Sequence, residues 1–168
     1  TLVERMAWLA ESHGVLPAQM LALTFSNRAA RELSERAAAR LPARPTVATF
    51  HTLGFRLISE FRDRLGLPAP LRILAEEEAE TLFTGEAGIT SLDALETALS
   101  ARYAEGGDLI ALAERARGLA PAYAAQKRAR GALDFTDLLV LPLALLAEHA
   151  DVREACRARW PHVFVDEY

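Results

Sequence analysis

Cysteine and long apolar runs are scarce in this chain of 168 residues. Cys156 is the only cysteine, so no internal disulfide is possible and a reduced, cytoplasmic location is expected. No apolar run approaches the roughly 20 residues that cross a bilayer. Glu4 and Arg5 also interrupt the first residues, which a secretory signal does not tolerate. We therefore expect neither a signal peptide nor a membrane partner.

Positive charge is also in short supply. The chain has 19 Lys and Arg residues against 23 Asp and Glu, which gives a formal net charge of −4. Proteins that hold nucleic acid by overall charge are basic, so any contact with nucleic acid has to be local. Lys127 is the only lysine, and we give that bias in composition no functional meaning.

Two kinds of site are not expected from the sequence. His13, His149 and His162 have no cysteine or histidine partner at the spacing of a zinc site. Cys156 has no evident activating neighbour, so a catalytic thiol is not expected either.

The first third of the chain alternates between helical and strand patterns. Met20 to Phe25 and Thr46 to Phe50 are short apolar runs followed by turn residues, which is the pattern of buried strands. Ser26 or Asn27 is predicted to cap a helix, and another helix is predicted to begin at about Thr52. This alternation predicts an α/β fold with a parallel sheet.

The strand pattern is missing from about Pro70 onward. Helical patterns take its place, over residues 75–83, 91–104 and 108–130. Successive helices of this kind predict a small all-helical insert. A strongly apolar helix is predicted over 136–149, kinked or split at Pro142. Asp151 is expected to cap one more helix, and 163–165 returns to a strand.

The last predicted strand ends on two acids, Asp166 and Glu167. In a parallel sheet, ligands bind beyond the carboxyl ends of the strands. An aspartate there can hold Mg²⁺, and a neighbouring glutamate can orient and deprotonate an attacking water. The alternative is a strand that simply ends in solvated acids.

A second candidate site follows the first predicted strand, at Thr24 to Arg28. A strand that leads directly into a helix start directs free N–H groups outward, where they can bind a phosphate. Ser26 and Asn27 add side-chain donors, and Arg28 adds charge. Phe25 offers a face for base stacking. The alternative is ordinary helix capping, with Phe25 in the core.

A third corner, Thr49 to Gly54, repeats this arrangement after the second strand. Phe50 and His51 follow the strand end, and His51 can donate to a phosphate or to a nearby loop. A lone histidine in that position is more often structural. Gly54 allows another backbone to approach closely.

One stretch, residues 123–135, is both basic and flanked by aromatic residues. A solvated helix end explains it, because Lys127, Arg128 and Arg130 suit the dipole of a helix C-terminus.

Together these segments resemble the UvrD/Rep family of superfamily-one DNA helicases. Residues 21–37, LALTFSNRAARELSERA, are similar to motif Ia of that family, and residues 49–54, TFHTLG, are similar to motif Ib. Residues 123–139, with the core LDFTDLL, resemble the stretch before motif II. Residues 163–168 resemble motif II itself, the Walker B element. The four elements occur in the order of the family.

The resemblance implies part of a RecA-like parallel sheet of the P-loop NTPase type, with an all-helical inserted subdomain. Residues 1–69 would be the first part of motor subdomain 1A, with motifs Ia and Ib. Residues 70–133 would be the helical 1B insert. Residues 134–168 would return to subdomain 1A and end in motif II.

The resemblance also implies an enzyme, an ATP-dependent helicase that moves 3′ to 5′ along single-stranded DNA and unwinds duplex DNA in repair or replication. Its cofactors would be ATP and Mg²⁺, with Asp166 on the metal and Glu167 as the catalytic base. A track for single-stranded DNA would be lined by residues at two strand ends: Thr24, Phe25, Ser26, Asn27, Arg28, Thr49, Phe50 and His51.

The Walker A loop of that family would lie just before Thr1, and no G-x-x-x-x-G-K-[ST] pattern occurs in these residues. Because phosphoryl transfer in P-loop enzymes needs that loop, we expect no ATPase activity and weak DNA binding from residues 1–168 alone. Two alternatives remain open. One is the motor part of a helicase–nuclease related to AddA and RecB. The other is a non-catalytic module whose helical insert binds a protein partner that the sequence does not identify.

Overall fold

The computed structural model describes residues 1–83 and 120–166. The chain divides into two compact units, Thr1–Leu53 with Asp151–Tyr168 and Gly54–Ala150. Two predictions fall partly or wholly outside the described residues. These are the helix over 91–104 and most of the helix over 108–130.

The described elements alternate between helix and strand in the first third of the chain. In chain order they are α1 (Leu2–His13), β1 (Met20–Thr24), α2 (Asn27–Arg40), β2 (Thr46–Thr49), α3 (Phe50–Glu60), β3 (Arg72–Ile73), α4 (Glu76–Leu82), α5 (Pro121–Ala129), β4 (Ala132–Leu133), α6 (Asp137–Glu148), α7 (Ala150–Arg159) and β5 (His162–Val165). Short 3-10 turns occupy Pro17–Gln19 and Arg62–Leu65.

Three parallel strands form the sheet of the first unit, in the order β2-β1-β5. Leu23 of β1 pairs with Ala48 on one side and Val165 on the other. All five residues of β1 are buried, because this central strand is covered on both faces, as parallel strands usually are. The two predicted early strands and the return to strand at 163–165 are therefore confirmed.

The core of the first unit lies between α1, α2 and the sheet. Apolar residues at helical spacing on both helices meet the apolar residues of β1. The buried members of this cluster are Val3, Met6, Ala7, Met20, Ala22, Leu33, Ala37 and Leu41. At the edge of the unit, Trp160 donates its indole N–H to the hydroxyl of Thr46 at 3.1 Å.

The second unit is mainly helical. Ile58, Leu67, Leu133 and Leu138 form one of its buried clusters. Gly54 of α3 lies against α6, and a Cβ at this position would come within 1.8 Å of the carbonyl oxygen of Leu138. The prediction that Gly54 allows close backbone approach is confirmed.

Several details of the predicted elements are wrong. A two-stranded parallel ladder joins β3 to β4, where the sequence predicted that strands had ended. Helix α3 begins at Phe50 rather than at about Thr52. Of the two outcomes predicted at Pro142, a kink or a split, the split does not occur, because α6 is one helix with Pro142 inside it. Asp151 lies within the first turn of α7 instead of capping it.

The mixed fold of helices and parallel strands is as the sequence predicted. Among the described residues, no helix combines the length and the apolar character that a membrane crossing requires.

Candidate functional site

The carboxyl ends of three neighbouring strands bring together residues that are far apart in the sequence. Thr24 ends β1 and pairs with Thr49, which ends β2. On the other side, the backbone N–H of Asp166 donates to the carbonyl of Leu23 at 2.8 Å. This bond completes the pairing of Leu23 with Val165, so Thr24 and Asp166 directly follow the last pair of the β1–β5 ladder. Glu167, the predicted catalytic base, lies outside the described residues.

The corner after β1 combines an exposed aromatic ring with a capped helix start. The side chain of Phe25 is 77% exposed, so it is not a core residue. The hydroxyl of Ser26 accepts a hydrogen bond from the N–H of Ala29 at 3.1 Å, which caps α2 as the sequence predicted. Asn27 and Arg28, which follow, are exposed. The corner therefore offers a ring face, a cation and the positive end of a 14-residue helix.

The corner after β2 has fewer exposed side chains than the corner after β1, and its threonine hydroxyls are hydrogen-bonded to each other. The hydroxyl of Thr49 lies 2.9 Å from the hydroxyl of Thr52 and also accepts the backbone N–H of Thr52 at 3.2 Å. Both bonds hold the first turn of α3. Phe50 is exposed and His51 is half-buried.

Thr24 differs from the residues around it. Its side chain is completely buried. Its hydroxyl oxygen has no hydrogen-bond partner among residues 1–83 and 120–166. Buried hydroxyls in proteins are almost always hydrogen-bonded, so this atom marks a place where a partner is expected. Of the eight residues predicted to face nucleic acid, Thr24 and Thr49 have buried side chains.

The second unit contains a polar cluster that sequence reasoning missed. The ammonium of Lys127 lies 2.6 Å from Oδ2 of Asp134 and 2.6 Å from Oδ2 of Asp137. Lys127 is only 7% exposed, so this is a buried ion cluster and not a solvated helix end. The hydroxyl of Tyr123 also donates to Asp134 at 2.9 Å. A cavity of about 250 Å³ lies beside these side chains.

Backbone hydrogen bonds fix the two carboxylates of this cluster. The N–H of Asp137 donates to Oδ1 of Asp134 at 2.8 Å, and the N–H of Asp134 donates to Oδ2 of Asp137 at 3.0 Å. This reciprocal pair holds the start of α6. The signal in the sequence was a lone lysine followed by acids seven and ten residues later, a spacing that has meaning only once the chain turns back at β4.

Burial and charge act in opposite directions on the two acids. Burial raises the pKa of Asp137 from 3.8 to about 6, although Lys127 acts against the rise. Burial also disfavours ionised Asp134, but the Lys127 ammonium and the hydrogen bonds outweigh it and lower the pKa of that carboxyl. Burial raises the pKa of Tyr123, so its hydroxyl stays protonated as a donor.

Comparison with known protein families bears on the whole chain. The family model for the UvrD/REP helicase N-terminal domain matches residues 1–168. The chain belongs to the UvrD/REP helicase family. Its strand-end corners and its DFTDL segment thus belong to a UvrD-like helicase domain.

Curated relatives of this UvrD-like domain carry helicase names. The ATP-dependent DNA helicase PcrA of Leuconostoc citreum is 31% identical over 187 residues, which cover 99% of this chain and 25% of the relative. The ATP-dependent DNA helicase Rep of Escherichia coli is 29% identical over 185 residues, with 99% and 28% covered. UvrD1 of Mycobacterium tuberculosis, also named an ATP-dependent DNA helicase, is 31% identical over 189 residues, with 99% and 24% covered. The UvrD-like chain thus spans about a quarter of the length of these relatives.

Proposed function

We propose that this chain is part of an ATP-dependent DNA helicase that moves 3′ to 5′ along single-stranded DNA and unwinds duplex DNA. In this proposal the parallel sheet of the first unit belongs to the RecA-like part of the motor. The observation that carries the proposal is the meeting of Asp166 with the Phe25–Ser26 corner at the carboxyl edge of one parallel sheet. One edge then serves both the nucleotide and the DNA, in a chain that belongs to a helicase family.

Asp166 suits a Mg²⁺ ion that arrives with a nucleotide. Its half-buried carboxylate follows a strand end, and the unpartnered hydroxyl of Thr24 lies on the neighbouring strand. No group of three or more possible ligand side chains occurs among the described residues. In the proposal, the ion takes most of its ligands from phosphate and water rather than from a protein cage. The bound ion would neutralise charge on the phosphates.

In this proposal, Asp166 is the metal ligand and Glu167 is the general base that takes a proton from the attacking water. Asp166 directly follows β5, and Glu167 is the next residue in the sequence. ATP and Mg²⁺ are then the cofactors of the full-length protein.

The DNA track in this proposal uses the exposed face of the two other corners. Phe25 and Phe50 stack on bases, since aromatic faces accept any base. Ser26, Asn27 and Arg28 bind phosphate at the start of α2. His51, in the first turn of α3, adds a donor. Thr24 and Thr49 support the track from beneath, because their side chains are buried.

We also propose the domain division that the family resemblance implies. Residues 1–69 and 134–168 form the motor subdomain, and residues 70–133 form the helical 1B insert. The relatives named above are called helicases, which supports this proposal over a helicase–nuclease or a non-catalytic module.

A single substitution tests the DNA track. Phe25→Ala in the full-length protein should weaken binding of single-stranded DNA by about 5- to 150-fold, because each base stacked on an aromatic ring contributes about 1–3 kcal/mol. Phe25→Trp should retain most of the affinity. The measurement is a fluorescence anisotropy titration with a labelled oligonucleotide at fixed salt, since such affinities depend on salt.

Trp8→Ala is the matched control. Trp8 is an exposed aromatic residue of the same unit, 42% exposed, and it lies on α1 rather than at a strand end. The substitution Trp8→Ala should leave the affinity for single-stranded DNA unchanged. Equal losses in Phe25→Ala and Trp8→Ala, or no loss in either, would contradict the proposed track.

A further inference from the structure

The hydroxyl of Thr24 is a buried donor at the carboxyl edge of the sheet. Thr24 is fully buried at the end of β1. Among the described parts of the chain, its Oγ1 finds no hydrogen-bond partner. Valine has nearly the same shape and would fill the space without a buried polar atom, so a threonine here carries an uncompensated cost.

The neighbour on one side does not supply the partner. Thr49 pairs with Thr24 across the β1–β2 ladder. Its own hydroxyl is already bonded to Thr52, both to the side chain at 2.9 Å and to the backbone N–H at 3.2 Å.

The neighbour on the other side is Asp166. Leu23 pairs with Val165 in the last pair of the β1–β5 ladder, and the N–H of Asp166 donates to Leu23 at 2.8 Å as part of that pairing. Thr24 and Asp166 are the residues that directly follow this pair. Paired residues of a parallel ladder carry their side chains on the same face, so the register places Thr24 and Asp166 side by side on one face. A buried hydroxyl without an acceptor is therefore followed, one strand across on the same face, by an acidic residue that is half-buried.

We propose that Thr24 is a positioning residue that donates its hydroxyl proton to the carboxylate of Asp166 when that carboxylate binds a nucleotide-bound divalent cation. This inference rests on the proposed function, in which Asp166 is the metal ligand. Carboxylates that bind metals are themselves usually held by a hydrogen bond from the surrounding protein, which fixes their orientation. Thr24 does not touch the metal or the nucleotide in this role.

The test measures metal binding without turnover, in the full-length protein. Electron paramagnetic resonance gives the Kd of Mn²⁺ in the presence of a non-hydrolysable ATP analogue. Thr24→Val, which removes the hydroxyl and keeps the shape, should raise that Kd about 10-fold, as is usual when the hydrogen-bond partner of a ligand is lost. Thr24→Ser keeps the hydroxyl and should restore near-normal affinity.

Thr46→Val is the matched control, because it removes a hydroxyl at the opposite end of the same sheet. Thr46 accepts the indole N–H of Trp160, so this variant should lose stability but keep its Mn²⁺ affinity. If Thr24→Val does not fold, as judged by circular dichroism, Thr24→Ala removes the same hydroxyl and is measured in its place.

The variant Asp166→Asn distinguishes a failure of the role of Thr24 from a failure of the proposed function. If Asp166→Asn weakens Mn²⁺ binding and Thr24→Val does not, the role of Thr24 is wrong and the proposed function stands. If Asp166→Asn has no effect, the proposed function itself fails. Equal losses in Thr24→Ser and Thr24→Val, or a loss in Thr46→Val, would show that shape or sheet stability matters rather than the hydroxyl, and would overturn the inference.

Discussion

The environment of Lys127 is set by tertiary contacts and not by its neighbours in the sequence. Its ammonium lies between the carboxylates of Asp134 and Asp137 and 4.5 Å from the ring centroid of Tyr123. Taking three charges out of water is costly, and close contacts with good hydrogen bonds offset that cost. The cluster therefore stabilises the second unit only while all three members are present.

Lys127→Met should lower the free energy of opening of α5 and α6 by about 3–5 kcal/mol, because it leaves two buried carboxylates without a cation. Native-state hydrogen exchange of the backbone amides in these helices measures this local free energy. Arg128→Met is the control, since Arg128 is exposed and substitutions on the surface usually stay within about 0.5 kcal/mol. A similar small effect for Lys127→Met would contradict the structural role of the cluster.

The opening free energy that Lys127→Met loses should depend on pH because of Asp137. Its pKa is raised from 3.8 to about 6 in the folded chain, so its protonation favours folding below its ordinary pKa, and this contribution is lost as pH rises through about 6. Removing the cation raises the pKa of both acids. The loss in Lys127→Met should therefore be larger at neutral pH than in mild acid.

Side chains near a helix start were predictable from local chemistry, whereas burial was not. Ser26 was expected to cap α2, and it does, because capping depends on residues within one turn. The sequence left open whether Phe25 is buried, and only the fold exposes it. The pairing of Lys127 with Asp134 and Asp137 depends on a chain reversal at β4, which the sequence around these residues did not predict.

The length of a strand determined whether the sequence could predict it. β1, β2 and β5 have four or five residues each, enough for an apolar run bounded by turn residues. β3 and β4 have two residues each, too short for any periodicity. Their pairing comes from the meeting of two distant segments, so the sequence predicted no strand at these positions.

The packing of α3 against α6 depends on a glycine. Gly54→Ala would place a Cβ 1.8 Å from the carbonyl oxygen of Leu138, and because that atom is backbone, one helix has to move. We expect a loss of about 1–3 kcal/mol, the usual cost of overpacking. Hydrogen exchange of α3 and α6 amides measures it.

The comparison for this glycine is Gly14→Ala. Gly14 ends α1 with a φ of 64°, and a Cβ at this position would have nothing within 4 Å. Only backbone strain of about 1 kcal/mol is therefore expected there, in α1. If Gly54→Ala leaves the exchange of α3 and α6 unchanged, close helix approach at this position is not required.

For the molecule as a whole, a net charge of −4 is compatible with DNA binding only through local groups. In the proposed function, the exposed side chains of the two strand-end corners provide these groups on one edge of a sheet. The chain spans about a quarter of the helicases that it resembles, so the proposed motor is tested in the full-length protein.

ATP hydrolysis by the full-length protein, with and without single-stranded DNA, is the decisive assay for the proposed motor, in the wild type and in Glu167→Gln. We predict hydrolysis that DNA stimulates and that Glu167→Gln reduces by about 100-fold or more, as expected for loss of a general base, while ATP still binds. Hydrolysis that ignores DNA, or that persists in Glu167→Gln, would contradict the assignment of this sheet edge to a DNA-driven motor.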